Sequence, residues 1–178
     1  MKNKTVLSLT NPWSIAHALE QKGTQQYLRL AASSSNVLAK KLFYSLAKKE
    51  VDHAQRLDEL FSSPGNNDPL RRAPAKTSSL NVELRTLFAS LKTAAHRKRG
   101  DIHLNGYKAA LRLEEQSVIL YRKLASLAKS PSNAAFFDLL AKEEQEHYDA
   151  LAHVYYYLTD QDDWIREDEG KTWNWMNI

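Results

Sequence analysis

Cysteine is absent from this chain. That absence excludes disulfides, thiolate nucleophiles, zinc ribbons and every iron–sulfur centre built on sulfur ligands. Any metal must therefore be held by carboxylate and imidazole. Glycine and proline are scarce, five of each in 178 residues, and most prolines fall in a few clusters, so long stretches are free to be helical. No apolar run approaches the roughly 20 residues needed to cross a bilayer. The N-terminal stretch MKNKTVLSLTNPW lacks the apolar h-region of a signal peptide. These absences predict a cytoplasmic chain with no membrane partner.

What is present fits one globular domain over residues 1–178. The hydrophobic share of 43% and charged share of 26% are those of an ordinary soluble protein. The net charge of +4 is mild, and the basic run His96-Arg97-Lys98-Arg99 reads as a solvated loop or helix end, so no nucleic-acid partner is expected. Breakers divide the chain into helices. The first begins at Thr10-Asn11-Pro12, with a polar cap before a proline, and runs to about Ala32. After the turn Ser33-Ser34-Ser35-Asn36 a second runs from about Val37 to Phe61, ending before Ser62-Ser63-Pro64-Gly65. A short helix is expected over about 79–97. A third long helix runs from about His103 to Lys129, and Ser130-Pro131-Ser132 turns the chain into a fourth that ends near Leu158. The bundle thus covers 12–158, a crossover with its short helix covers 62–102, and 159–178 form a tail.

The chain also repeats itself. A shift of 94 residues lays Leu19-Glu20 on Leu113-Glu114, Tyr27 on Tyr121, Leu30-Ala31 on Leu124-Ala125 and Phe43 on Phe137. It also lays Glu50-Val51-Asp52-His53 on Glu144-Gln145-Glu146-His147, without a gap. Glu and His three apart share a helix face. With 6 His, chance would place a Glu three residues before a His about 0.4 times; it happens twice, at equivalent places. Each hairpin adds one Glu from its first helix, Glu20 or Glu114. A Glu from each of two helices and Glu-x-x-His from the other two is the ligand set of carboxylate-bridged dimetal sites in helical bundles.

Register agrees with this reading. The midpoint of Glu20 and Glu50 is residue 35, inside the first turn, and that of Glu114 and Glu144 is residue 129, beside the second. Both pairs lie about 15 residues from their turns, or ~22 Å at 1.5 Å per residue, so they meet at mid-bundle. For one shared site the second hairpin must pack inverted on the first, and the crossover must travel the bundle's length. That is an all-α, ferritin-like four-helix bundle of two inverted hairpins. Four carboxylates and two imidazoles suit two iron ions (Fe2+/Fe3+), and the same set accepts manganese or a mixed pair. Glu50 and Glu144 are expected to bridge, Glu20 and Glu114 to complete the carboxylate shell, and His53 and His147 to cap one metal each. The competing reading, a bundle with buried ion pairs alone, would force four Glu together without a cation, at a severe cost.

These residues, over roughly 12–158, resemble the rubrerythrin branch of the ferritin-like superfamily: Glu20, Tyr27, Glu50-x-x-His53, Glu114, Tyr121 and Glu144-x-x-His147. The resemblance implies a redox-active diiron site that reduces hydrogen peroxide or oxygen. The alternative it leaves open is a ferroxidase feeding iron binding or storage; a hydroxylase acting on an organic substrate is weaker, since no residue announces a pocket for one. Two departures stand out. Rubrerythrins carry a four-cysteine rubredoxin domain, absent here, so electrons must come from an external donor protein. They also carry an extra Glu one turn after the third-helix ligand, where this chain has Ser117.

Tyr27 and Tyr121 lie two turns beyond Glu20 and Glu114 and are placed either to hydrogen-bond the carboxylates and tune the metals or to stand as core tyrosines. His17 has Leu111 as its repeat partner and is read as core or rim. Glu115 and Glu143 align with Gln21 and Lys49, so both are expected to point off the metal face. Tyr155-Tyr156-Tyr157 read as packing and surface. Trp164, Trp173 and Trp175 are expected to dock on the bundle or on a second copy, in a homodimer or larger homo-oligomer.

Overall fold

A computed structural model describes residues 12–62 and 104–159. They form four helices: α1 (Pro12–Ser33), α2 (Val37–Ser62), α3 (Leu104–Leu127) and α4 (Pro131–Thr159). All four lie within a residue or two of the spans read from the sequence. The short helix expected over 79–97, the basic run at 96–99 and the tail tryptophans lie outside the described residues. Among the described residues no helix is long and apolar enough to cross a membrane.

The second helix of each hairpin starts on a side-chain cap, and the two caps are repeat partners. Asn36 Oδ1 accepts from the Ala39 amide at 3.0 Å, and Ser130 Oγ accepts from the Asn133 amide at 3.1 Å. Each satisfies one of the amides that a helix start leaves without a partner. Pro131 follows Ser130 at the first helical position, where its missing N–H costs nothing. The third helix stops two residues before its expected end at Lys129, because Ser130 must leave helical geometry to cap α4.

The helices pack as α1 on α2 and α3 on α4, with α1 also against α3 and α2 against α4. Direction follows from the contacts. Tyr27 reaches Glu114 and Tyr121 reaches Glu20, so α1 and α3 run antiparallel. His53 meets Glu144 and Glu50 meets His147, so α2 and α4 do too. Helices α2 and α3 are therefore parallel, and the second hairpin is inverted on the first, as the shared site requires.

Two apolar layers sandwich the middle of the bundle. One gathers Leu42, Phe43 and Leu46 near the first turn with Tyr107, Leu151 and Val154 from the far ends of the other hairpin. The other gathers Phe136, Phe137 and Leu140 near the second turn with Ala16 and Leu57. Ring contacts repeat the internal symmetry: Trp13 on Phe137 and Tyr107 on Phe43 both sit at 4.9 Å between centroids. Between these layers runs a belt of buried polar side chains.

Candidate metal centre

That belt holds Glu20, Glu50, His53, Glu114, Glu144 and His147, each no more than 3% exposed. The i, i+3 spacing sends Glu50 and His53 from α2, and Glu144 and His147 from α4, into the same layer. Glu20 enters from α1 and Glu114 from α3. The six residues form two overlapping quartets, Glu20–Glu50–His53–Glu144 and Glu50–Glu114–Glu144–His147. In each quartet one oxygen or nitrogen per residue lies within 4.8 Å of all the others. Glu50 and Glu144 occur in both.

The imidazoles face this centre through Nδ1. His53 Nδ1 lies 2.7 Å from Glu144 Oε1 and 3.3 Å from Glu20 Oε2. His147 Nδ1 lies 3.3 Å from both Glu50 Oε1 and Glu144 Oε2. The two rings stack at 5.3 Å with 11° between their planes. Behind the carboxylates stand the two tyrosines, each crossing to the other hairpin: the Tyr27 hydroxyl donates to Glu114 Oε1 and the Tyr121 hydroxyl to Glu20 Oε1. The opposite oxygens, Glu114 Oε2 and Glu20 Oε2, are left facing inward.

Those inward atoms answer whether the site suits a metal pair. Glu20 Oε2, Glu50 Oε1, Glu114 Oε2, both Glu144 oxygens and Nδ1 of both histidines are buried without a hydrogen bond. A folded protein rarely leaves so many polar atoms orphaned, and here they converge on one space from four helices. Carboxylate oxygens and imidazole nitrogens are the donors that iron or manganese takes. The residues present fit two such ions.

Electrostatics lead to the same place. Burial, then the nearby carboxylates Glu144 and Glu20, push the Glu50 carboxyl well above its ordinary range. Burial and Glu144 do the same to Glu114. For Glu144 burial pulls upward too, but His53 and His147 outweigh it and hold this carboxylate ionised. Burial alone would strip both imidazoles of their protons; the surrounding carboxylates instead push His53 and His147 well above the usual histidine range. Protons thus occupy the place of cations in a cluster with too much negative charge for its burial.

The remaining candidates lie outside the cluster. His17 sits at the rim, its Nε2 3.2 Å from Asp58. Glu115 is exposed. Ser117 is buried and its hydroxyl donates to the Leu113 carbonyl at 3.2 Å. Tyr155 packs at the edge of one apolar layer, its ring centroid 6.0 Å from that of Tyr107. Glu143 supplies no atom to either quartet, yet its Oε2 lies 3.1 Å from the far nitrogen, Nε2, of His53. Sequence reasoning missed this contact and its neighbour Arg56, a guanidinium only 7% exposed that donates to the same Glu143 oxygen. Burial would raise the Glu143 carboxyl, but His53 and Arg56 win and bring it down to about 2. The signal available in the sequence was the break in the repeat, since Lys49 and Ala150 stand where Glu143 and Arg56 would be duplicated.

Fold and cluster together define a class, the helical-bundle proteins with a carboxylate–histidine cluster suited to two metal ions. Within it, residues 107–173 match the Rubrerythrin family model, over the second hairpin and the residues that follow it. The match takes in Glu114, Tyr121, Glu144 and His147; Glu20, Glu50 and His53 lie before it and are linked to it by the internal repeat. No curated protein and no solved structure matches the chain.

Proposed function

We propose that this chain is a diiron-carboxylate oxidoreductase that reduces hydrogen peroxide or oxygen with electrons from an external donor protein. The observation that carries the reading is the sharing of Glu50 and Glu144 between the two quartets, which is what bridging carboxylates require. Glu20 and His53 complete one half of the site, and Glu114 and His147 the other. Two bound iron ions would supply redox equivalents and Lewis acidity to a small oxidant. The protein's own part is positional. Tyr121 and Tyr27 hold one oxygen of Glu20 and of Glu114, so that the other is presented inward. The apolar layers built on Leu42, Leu46, Phe136 and Leu140 close the belt at both ends and exclude bulk water.

Anaerobic loading with ferrous iron, followed by stopped-flow mixing with peroxide and separately with oxygen, tests the reading. Oxidation of two irons per chain, faster with peroxide, is expected for a rubrerythrin-like peroxidase. Fast reaction with oxygen and continued uptake beyond two irons would replace it with a ferroxidase that feeds iron storage. Replacing Glu50 and Glu144 together with Ala is expected to abolish stoichiometric metal binding; two ions retained per chain would overturn the ligand assignment.

A further inference from the structure

The two halves of the cluster are built on one plan but not supported alike. His53 points Nδ1 at Glu144, 2.7 Å away, and Nε2 at Glu143, 3.1 Å away. A neutral imidazole that donates from Nε2 leaves Nδ1 bare, so once the ring gives up its second proton to a metal, Glu143 selects the tautomer able to take it. Arg56 fixes Glu143 in turn. Its guanidinium donates to the same carboxylate oxygen, and its Nε lies 3.1 Å from Asp52 Oδ2 one turn back on α2.

Around His147 the repeat supplies different chemistry. Lys49 replaces Glu143 and Ala150 replaces Arg56; neither an ammonium nor a methyl group can accept a proton from an imidazole N–H. The charges differ too. Glu143, Arg56 and Asp52 sum to one negative charge behind His53, whereas the repeat puts Lys49, Ala150 and Glu146 at the corresponding positions, which sum to zero. A carboxylate behind a histidine ligand raises its basicity and typically strengthens metal binding about 10–100-fold.

We propose that Glu143, held by Arg56, is the positioning residue for His53, and that it makes the Glu20–His53 half of the centre the first and tighter of two metal sites. The inference rests on the reading of the cluster as a dimetal centre and adds an order of filling to it. Glu143 is a positioning residue rather than a ligand, because it reaches the centre only through the imidazole.

Anaerobic manganese(II) titration, read by calorimetry and by the free-ion electron paramagnetic resonance signal, tests this on the full chain. The wild type is expected to bind two ions in two steps of different affinity. In a His147→Ala background, Glu143→Ala is expected to weaken the remaining site about 10–100-fold. Glu143→Gln should restore part of the loss, since its amide oxygen still accepts from Nε2–H. In a His53→Ala background, Glu143→Ala is expected to leave affinity within about twofold. Equal weakening in both backgrounds, or none in the first, overturns the assignment. A wild-type chain that binds no manganese or ferrous iron would instead overturn the dimetal reading itself. Should Glu143→Ala fail to fold, Glu143→Gln compared across the two backgrounds decides alone.

Discussion

Gly23 stands on α1 between Glu20 and Tyr27, where a β-carbon would come within 2.6 Å of Glu50 Oε2. Its repeat partner on α3 is Ser117, whose hydroxyl is turned back onto its own helix. The missing β-carbon at position 23 leaves room on α1 for the Glu50 carboxylate that α2 sends into the cluster. Gly23→Ala separates two effects. Alanine favours the helix by about 1 kcal/mol over glycine, and the flexible end of Glu50 can swing aside, so the metal-free protein is expected to melt no lower than wild type. A displaced Glu50 can no longer be shared, so metal binding is expected to weaken by about tenfold or more. Unchanged affinity in a calorimetric titration would show that Glu50 need not occupy its observed position. Tyr121→Phe acts differently: it leaves Glu20 Oε1 buried without its donor, at a cost of about 1–3 kcal/mol. Urea unfolding of the metal-free variant should show that loss, and a ΔΔG near zero would mean that water replaces the phenol.

At the scale of the helices, the caps and the cluster are independent devices. Asn36→Ala and Ser130→Ala each remove one cap and are expected to cost about 1 kcal/mol apiece. Urea titration should show the losses adding, because the caps lie at opposite ends of the bundle. Metal stoichiometry should stay at the wild-type value; a loss of ions would tie the turns to the centre. This scale is also where the sequence was most legible. Two Glu-x-x-His motifs, an uninterrupted repeat and two turns equidistant from them fixed the helices, their register and the six clustered residues, because helix periodicity and hairpin geometry are local rules. The pairing of His53 with Glu143 was not legible. It depends on how far α2 and α4 are rotated about their axes, and the repeat, which located everything else, argued against Glu143 by matching it with Lys49. Arg56 escaped for the same reason, since its Ala150 counterpart erased the symmetry that would have marked it.

For the molecule as a whole, the cluster costs stability to build without metal, and the cost depends on pH. Glu50, Glu114, His53 and His147 all have raised affinities for protons in the folded state. A raised group stabilises the fold below its unfolded pKa and loses that contribution as pH rises through its folded pKa. The loss therefore begins near the ordinary carboxylate value of 4.5 for the two glutamates and near 6.5 for the two histidines. Glu144 and Glu143 work in the opposite sense: both are lowered, so their contribution is present above 4.5 and disappears as pH falls, for Glu143 towards about 2. The metal-free protein is thus expected to be most stable in mildly acidic solution and to weaken towards neutral and alkaline pH. Metal binding displaces the protons on the raised groups, so affinity rises over the range in which the metal-free fold declines. The difference in melting temperature between metal-loaded and metal-free protein should widen from about pH 5 to about pH 8. A pH-independent difference, measured by calorimetric melting at matched ionic strength, would mean that the four groups do not exchange protons for metal and that the ions bind elsewhere.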